Sequence, residues 1–188
     1  MRRFVRFRIS RSGTPAWQRL KTLAQILILW SLALYAIPKL LVWTEGELGW
    51  KSAYFSSQTW SWVGMGLLLS GSALGLWSAW TMTGYGDGTP LPFDTARRLV
   101  VAGPYAYVRN PMAMSGITQM AGVALILGSP LVLAYVAAGF VLLEFAVRPW
   151  EEEDLDRRFG ESHCHYRRNV PRWKIRRTPY DPERDNLK

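Results

Sequence analysis

Four stretches of this chain are nearly free of charge, and their lengths match the thickness of a bilayer. Leu20 to Trp43 runs for about 24 residues with its only charges, Lys21 and Lys39, near its ends, enough to cross a hydrocarbon core of roughly 30 Å with some tilt. Trp60 to Thr83 has no charge at all. Met112 to Val147 is broken by Gly128, Ser129 and Pro130, so it reads as two short crossings joined by a tight turn. The expected fold is all-α: a polytopic membrane protein with about four transmembrane helices and a cytoplasmic C-terminal helical segment. A mean hydropathy near zero hides this, because apolar and basic residues occupy separate blocks. The N-terminus reads as a basic arm and first crossing rather than a cleaved signal peptide, since the apolar run is too long and no small-residue cleavage site follows it.

The net charge of +9 follows this topology. Seven Lys/Arg precede Thr22, the first connecting loop has only Lys51, the second has Arg97, Arg98 and Arg109, and eleven follow Val147. The positive-inside bias then places both termini and the second loop in the cytoplasm, in an inner or endoplasmic-reticulum-like membrane. Trp43 and Trp60 are expected in the outer aromatic belt, and Trp17, Trp80 and Trp150 near the inner one. Charge distributed to orient a membrane protein argues against nucleic acid as a partner. A single cysteine, Cys164, excludes an intramolecular disulfide. His163, Cys164 and His165 are adjacent and the chain has no further histidine, so they read as a polar surface turn and no metal is expected.

Within the spans, Gly71 and Gly75 form a small-xxx-small pair that lets another helix approach closely. Pro38 implies a kink or an early stop in the first helix. The chain divides into a basic arm (1–19), the first two crossings (20–83), a half carrying the chemistry (84–178) and a polar tail from Pro179 onward (179–188) that is expected to be mobile.

GPYAYVRNPM, residues 103–112, ends the long second loop. Asn110 is a good N-cap and Pro111 a good first helical residue, so the third helix should begin there, beside Arg109. A helix N-terminus next to a guanidinium suits an anion, and Tyr105 and Tyr107 offer aromatic faces to a cation or an adenine ring. Interfacial tyrosines with a topology-setting arginine are the plainer explanation. Glu151, Glu152 and Glu153 follow the last apolar turn, begin an amphipathic cytoplasmic helix and oppose the positive-inside trend; carboxylates there suit sugar hydroxyls or an ammonium. Glu144 lies inside the fourth span, where an acid either faces the bundle and a substrate or snorkels to the surface.

Taken together, GPYAYVRNPM, EEEDL and FGESHCHYRRNVPRW resemble the isoprenylcysteine carboxyl methyltransferase and phospholipid methyltransferase superfamily, over roughly Gly84 to Trp173. The resemblance implies S-adenosylmethionine as cofactor and a lipid or lipidated acceptor entering from the bilayer, with membrane lipids as surroundings; it says nothing of oligomeric state. Carried over by position, Gly103, Pro104, Tyr105, Tyr107, Arg109, Asn110, Pro111 and Met112 with Glu151 and Glu152 form the cofactor site. Arg109 would hold the methionine carboxylate, one glutamate the ribose hydroxyls or amino group, Arg148 would steer an anionic acceptor, and Glu144 or Glu153 would deprotonate an ammonium acceptor. Two positions depart from the family pattern: Asn110 stands where histidine is usual, and Ala113 where tyrosine is usual. His163 replaces the first tyrosine of the closing motif, a change of packing. The rival expectations are a non-catalytic scaffold of the same fold and a nicotinamide-dependent membrane reductase.

Overall fold

The structure, a computed structural model, describes residues 15–50, 57–86 and 97–185. The basic arm before Pro15, Lys51, residues 87–96 of the long loop and the last three residues lie outside the described residues, as does the side chain of Trp17. Helix α1 (Pro15–Trp30) passes through a π-helical turn (Ser31–Ala36) into α2 (Ile37–Glu47), which together make the first crossing. Helix α3 (Gln58–Tyr85) returns, a short 3-10 turn (Gly103–Ala106) leads into α4 (Pro111–Leu127), and α5 (Pro130–Leu142) runs through a second π turn (Leu143–Val147) into α6 (Arg148–Asn169). A short helix, α7 (Pro182–Asp185), closes the described chain. Leu23–Glu47, Gln58–Tyr85 and Pro130–Asn169 are long and apolar enough to cross a membrane; α4 is apolar but, at 17 residues, about one turn shorter. No strand occurs among the described residues. The protein is therefore an all-α polytopic membrane protein, and Trp43, Trp60, Trp80 and Trp150 are exposed near the ends of its helices.

Each π turn ends two residues before a proline. A proline inside a helix lacks an N–H and presses its ring against the carbonyl four residues back. For Pro38 that carbonyl belongs to Leu34, inside the first π turn, and for Pro149 to Phe145, inside the second. The widened turn absorbs the clash. Pro38 consequently ends nothing: the first helix continues to Glu47, and the early stop admitted from the sequence does not occur.

Helix α4 packs along α3 through missing side chains. A Cβ on Gly64 would lie 2.6 Å from the Gly122 carbonyl oxygen, and one on Gly71 only 2.8 Å from Gln119 Cγ. Backbones this close allow Ser115 Oγ to donate to the Gly71 carbonyl at 2.8 Å, and Gln119 Nε2 to donate to Ser115 at 2.8 Å. At the far end Gly128 caps α4 with φ +62°, and the Ser129 side chain accepts from Val132 N–H to start α5. Glu45, fully buried, accepts from Ser129 Oγ (2.9 Å) and from Leu131 N–H (2.8 Å), so a carboxylate at the N-terminus of α5 ties α2 to the turn. Sequence reading gave Glu45 no such role.

Past the second π turn the acidic run does not begin a separate helix. Pro130–Asn169 is one helical run, bent at Gly160, whose φ of +52° with ψ −123° only glycine adopts without strain. The bend returns Tyr166 and Val170 onto Ala106 and Tyr180. His163 is part of this helix and not of a surface turn: it is buried, with Nδ1 2.7 Å from Asp156 Oδ1.

The tail corrects another expectation. Arg176 N–H donates to the Tyr107 carbonyl (3.0 Å) and Tyr180 N–H to the Ala106 carbonyl (2.9 Å), so the chain to Asp185 is strapped over the GPYAYVR turn. Asp185 is buried, bonded by Asp181 N–H (3.2 Å) and paired with Arg176 (3.1 Å). Proline punctuation suggested mobility, but this latch is formed by residues whose partners lie distant in sequence.

Gly64→Ala is expected to lower stability by about 1–3 kcal/mol, because the added methyl meets backbone that cannot retreat, whereas Gly66→Ala, with nothing within 4 Å of its Cβ, should be neutral. Thermal unfolding of both variants in detergent checks this. The Asp181 N–H, then the Arg184 and Arg176 guanidinium groups, hold the Asp185 carboxyl below its usual range. Its contribution is thus present above about pH 4 and lost as pH falls through the lowered value. Hydrogen exchange at the Arg176 and Tyr180 amides, corrected for intrinsic rates, should accelerate only below about pH 4 in wild type and be fast at every pH in Asp185→Asn.

Candidate active site

The GPYAYVR turn is held from three sides. Gly103 has φ +54° and lies so close to α3 that a Cβ would be 2.6 Å from Thr81 Oγ1. Tyr166 donates its hydroxyl to the Tyr105 carbonyl at 2.7 Å, and Arg109 N–H donates to the Pro171 carbonyl at 3.1 Å. Tyr105, Ala106 and Val108 are buried, and Pro111 starts α4 with its missing N–H at a position where no helical bond is required.

Against this turn lies a chain of alternating charges. Glu152 accepts from Arg109 Nη1 (2.9 Å) and from Arg172 Nη2 (3.0 Å to Oε1, 3.1 Å to Oε2). Arg172 reaches on to Glu144 Oε1, and Trp173 Nε1 donates to the other oxygen of Glu144 at 3.0 Å. Trp173 in turn packs on Phe140, ring centroids 5.2 Å apart. Burial lowers the Arg109 guanidinium from its usual value; Glu152 opposes that shift, and the arginine remains a cation at any physiological pH.

A second cluster adjoins the first. Arg148, 4% exposed, donates through Nη1 to Glu151 Oε2 at 2.9 Å. Asn110 has two possible amide orientations. In one its oxygen accepts from Ala113 N–H at 3.3 Å, as an N-cap should, but its NH2 then confronts a guanidinium. In the other the oxygen accepts from Arg148 Nε (2.8 Å) and Nη2 (2.6 Å). The second removes a donor-to-donor contact in a buried place and forms two charge-assisted bonds in exchange for one long neutral one, so it is preferred.

Of the residues singled out in the sequence, Arg109, Asn110, Arg148, Glu144, Glu151 and Glu152 thus come together at one end of the bundle. Tyr105 is beside them and buried, with its hydroxyl pushed well above the usual range by burial and without a hydrogen-bond partner. Tyr107 and Met112 are half-buried, and the Tyr107 carbonyl serves the tail strap. Glu153 stands apart, paired with Arg157 on an exposed face. Sequence reading missed Arg172 and Trp173. They were part of the closing motif, but nothing in their local pattern indicates that they reach back 28 and 29 residues to Glu144.

Cations, carboxylates and the polar start of a helix are the groups needed by an amino-acid zwitterion bearing a ribose, the polar parts of S-adenosylmethionine. Arg109 Nε, Arg172 Nε and the Tyr105 hydroxyl are buried donors without partners, so the site retains capacity for an acceptor-rich ligand. The residues present therefore fit that cofactor.

The fold and this end of the bundle define a helical membrane protein with a polar site at the margin of an apolar body. The family model of phospholipid methyltransferases matches residues 59–162, more than half of the chain and from the start of α3 into α6, and the protein belongs to that family. Neither the curated proteins nor the solved structures include a significant match. Membership makes it a methyltransferase family member with a lipid-like substrate.

Glu152→Gln leaves Arg109 and Arg172 facing each other without the shared anion and is expected to cost about 1–3 kcal/mol. Adding Arg172→Met should recover part of that loss. Melting curves for the two single variants and the double variant form the cycle that checks it.

Proposed function

We propose that the protein transfers a methyl group from S-adenosylmethionine to the amine head group of a membrane lipid, on the cytoplasmic side of an inner or endoplasmic-reticulum-like membrane. The observation that carries this reading is the convergence of Arg109, Asn110, Glu151 and Glu152 around the N-terminus of α4, at the end of the bundle where Val141, Leu142 and Phe145 are exposed. Arg109 and the first-turn N–H groups of α4 take the methionine carboxylate. Glu151 and Glu152 take the ribose hydroxyls or the amino group. This assigns cofactor binding and transfer to residues 84–178, with the first two crossings as support. The cytoplasmic assignment rests on the basic arm and basic C-terminal segment.

The cofactor supplies an activated methyl on a sulfonium: the amine lone pair forms the new N–C bond as the C–S electron pair returns to sulfur. The protein's own task is alignment and desolvation, which for such an in-line displacement matter more than acid or base groups. An ammonium head group must first give up a proton, and Glu144 is better placed than Glu153 to receive it. Glu144 lies one turn from the exposed apolar residues Phe140, Val141, Leu142 and Phe145, the side from which an acyl-chain-bearing acceptor arrives, whereas Glu153 is paired with Arg157 on an exposed face. A prenylcysteine carboxylate, which needs no base, is the alternative acceptor. The joint presence of Arg109, Pro111 and both glutamates in one cluster favours catalysis over a scaffold, and the family match favours it over a nicotinamide-dependent reductase.

Calorimetric titration of S-adenosylhomocysteine into the detergent-purified protein tests this reading. Wild type should bind saturably, while Arg109→Ala and Glu151→Ala/Glu152→Ala should bind at least about tenfold more weakly, the loss of one or two charge-assisted bonds. No binding by folded wild type would defeat the proposal.

A further inference from the structure

We infer that Arg148 is a positioning residue for the transfer, clamped between Asn110 and Glu151, and that position 110 must therefore never carry positive charge. This deepens the proposed function and rests on it. The guanidinium uses all three of its nitrogens: Nε and Nη2 toward the Asn110 oxygen (2.8 and 2.6 Å) and Nη1 toward Glu151 (2.9 Å). It is 4% exposed and Asn110 is 9% exposed, so the bonds between these two are shielded from water, while Glu151 holds Nη1 from a partly solvated side at 44% exposure. The clamp therefore fixes the start of α4 against the acid pair on α6. These two elements flank the cofactor groups, and they meet here although 38 residues separate Asn110 from Arg148. Arg148 is thus spent on protein groups and is not available to steer an acceptor.

The physical consequence is a constraint on charge. Asparagine accepts from a guanidinium at every pH. A histidine at position 110 would accept only while neutral, and its protonation would set imidazolium against guanidinium. The other titratable or charged groups around Arg148 are Glu151 on its own helix, Glu144 in the π turn, Arg109 and Tyr105 from the loop, and Tyr166 beyond the bend. All are present in wild type too, so their titration cancels in a ratio of variant to wild type.

Asn110→His, Asn110→Asp, Asn110→Leu and wild type are compared from pH 5 to pH 8, reading the melting temperature in detergent and the dissociation constant for S-adenosylhomocysteine. An imidazole facing Arg148 has its folded pKa depressed below about 6.5, so its stabilising bond is present above that pH and lost as pH falls through the depressed value. Asn110→His should therefore melt progressively lower than wild type below about pH 6.5, and its affinity relative to wild type should drop about tenfold between pH 8 and pH 5. Asn110→Asp, which keeps the acceptor, should bind more tightly than Asn110→Leu at pH 7.

A histidine variant whose melting temperature tracks wild type across the range would overturn the clamp, as would equal effects of Asp and Leu if the histidine variant does not fold. A pH-dependent melting temperature with a pH-independent affinity ratio would reduce Arg148 to a purely structural role and overturn the positioning claim. Wild type that binds no S-adenosylhomocysteine at any pH would count against the proposed function, while the melts would still decide the clamp.

Discussion

One carboxylate, Glu152, organises the polar end of this protein. It is shared by Arg109 from the loop before α4 and by Arg172 from the segment after α6, so three stretches distant in sequence meet at a single anion. At the margin of an apolar bundle, charges left unpaired are costly, and pairing them dictates where the loop and the C-terminal segment must lie. The adjoining Arg148 cluster follows the same rule, with Glu151 and Asn110 meeting its donors. What results is a site whose charged groups hold one another in place while three buried donors still lack partners.

The geometry that allows this comes from irregularities in otherwise regular helices. Two prolines are each preceded by a π turn, and the second of these turns carries Glu144. Gly160 bends α6 so that Tyr166 reaches the Tyr105 carbonyl. Straight helices would direct Tyr166 and everything after it away from the loop. At the opposite end the fully buried Glu45 carboxylate, bonded to Ser129 and Leu131, ties the first crossing to the tight turn, so the bundle is fastened by an acid at each end.

Family membership and the local reading of the loop support each other at GPYAYVRNP and at the glutamates, both within the matched residues. Arg172 and Trp173 lie beyond them, yet they complete the charge chain through Glu144 and Glu152. Position 110 is informative in another way. Asparagine there does not titrate, and its oxygen meets a cation that is buried with it.

The crossings, the tight turn at Gly128 to Pro130, the close approach at Gly71 and Gly75 and the start of α4 at Pro111 were all legible in the sequence. Each depends on local physics: apolar length, backbone conformation, or the absence of a side chain or an N–H. The pairings of Glu152 with Arg172, Glu144 with Trp173 and Asn110 with Arg148 were not, nor was the tail strapped by Arg176 and Tyr180. A charge in a sequence carries no indication of which opposite charge it will meet, since that depends on how the π turn before Pro149 and the bend at Gly160 direct the chain. The sequence by itself therefore determined a helical membrane protein and the chemical types gathered in its loops. Only the tertiary structure decided which of those groups are spent on one another and which remain for a ligand, because a buried charge is satisfied by proximity in space and not by order along the chain.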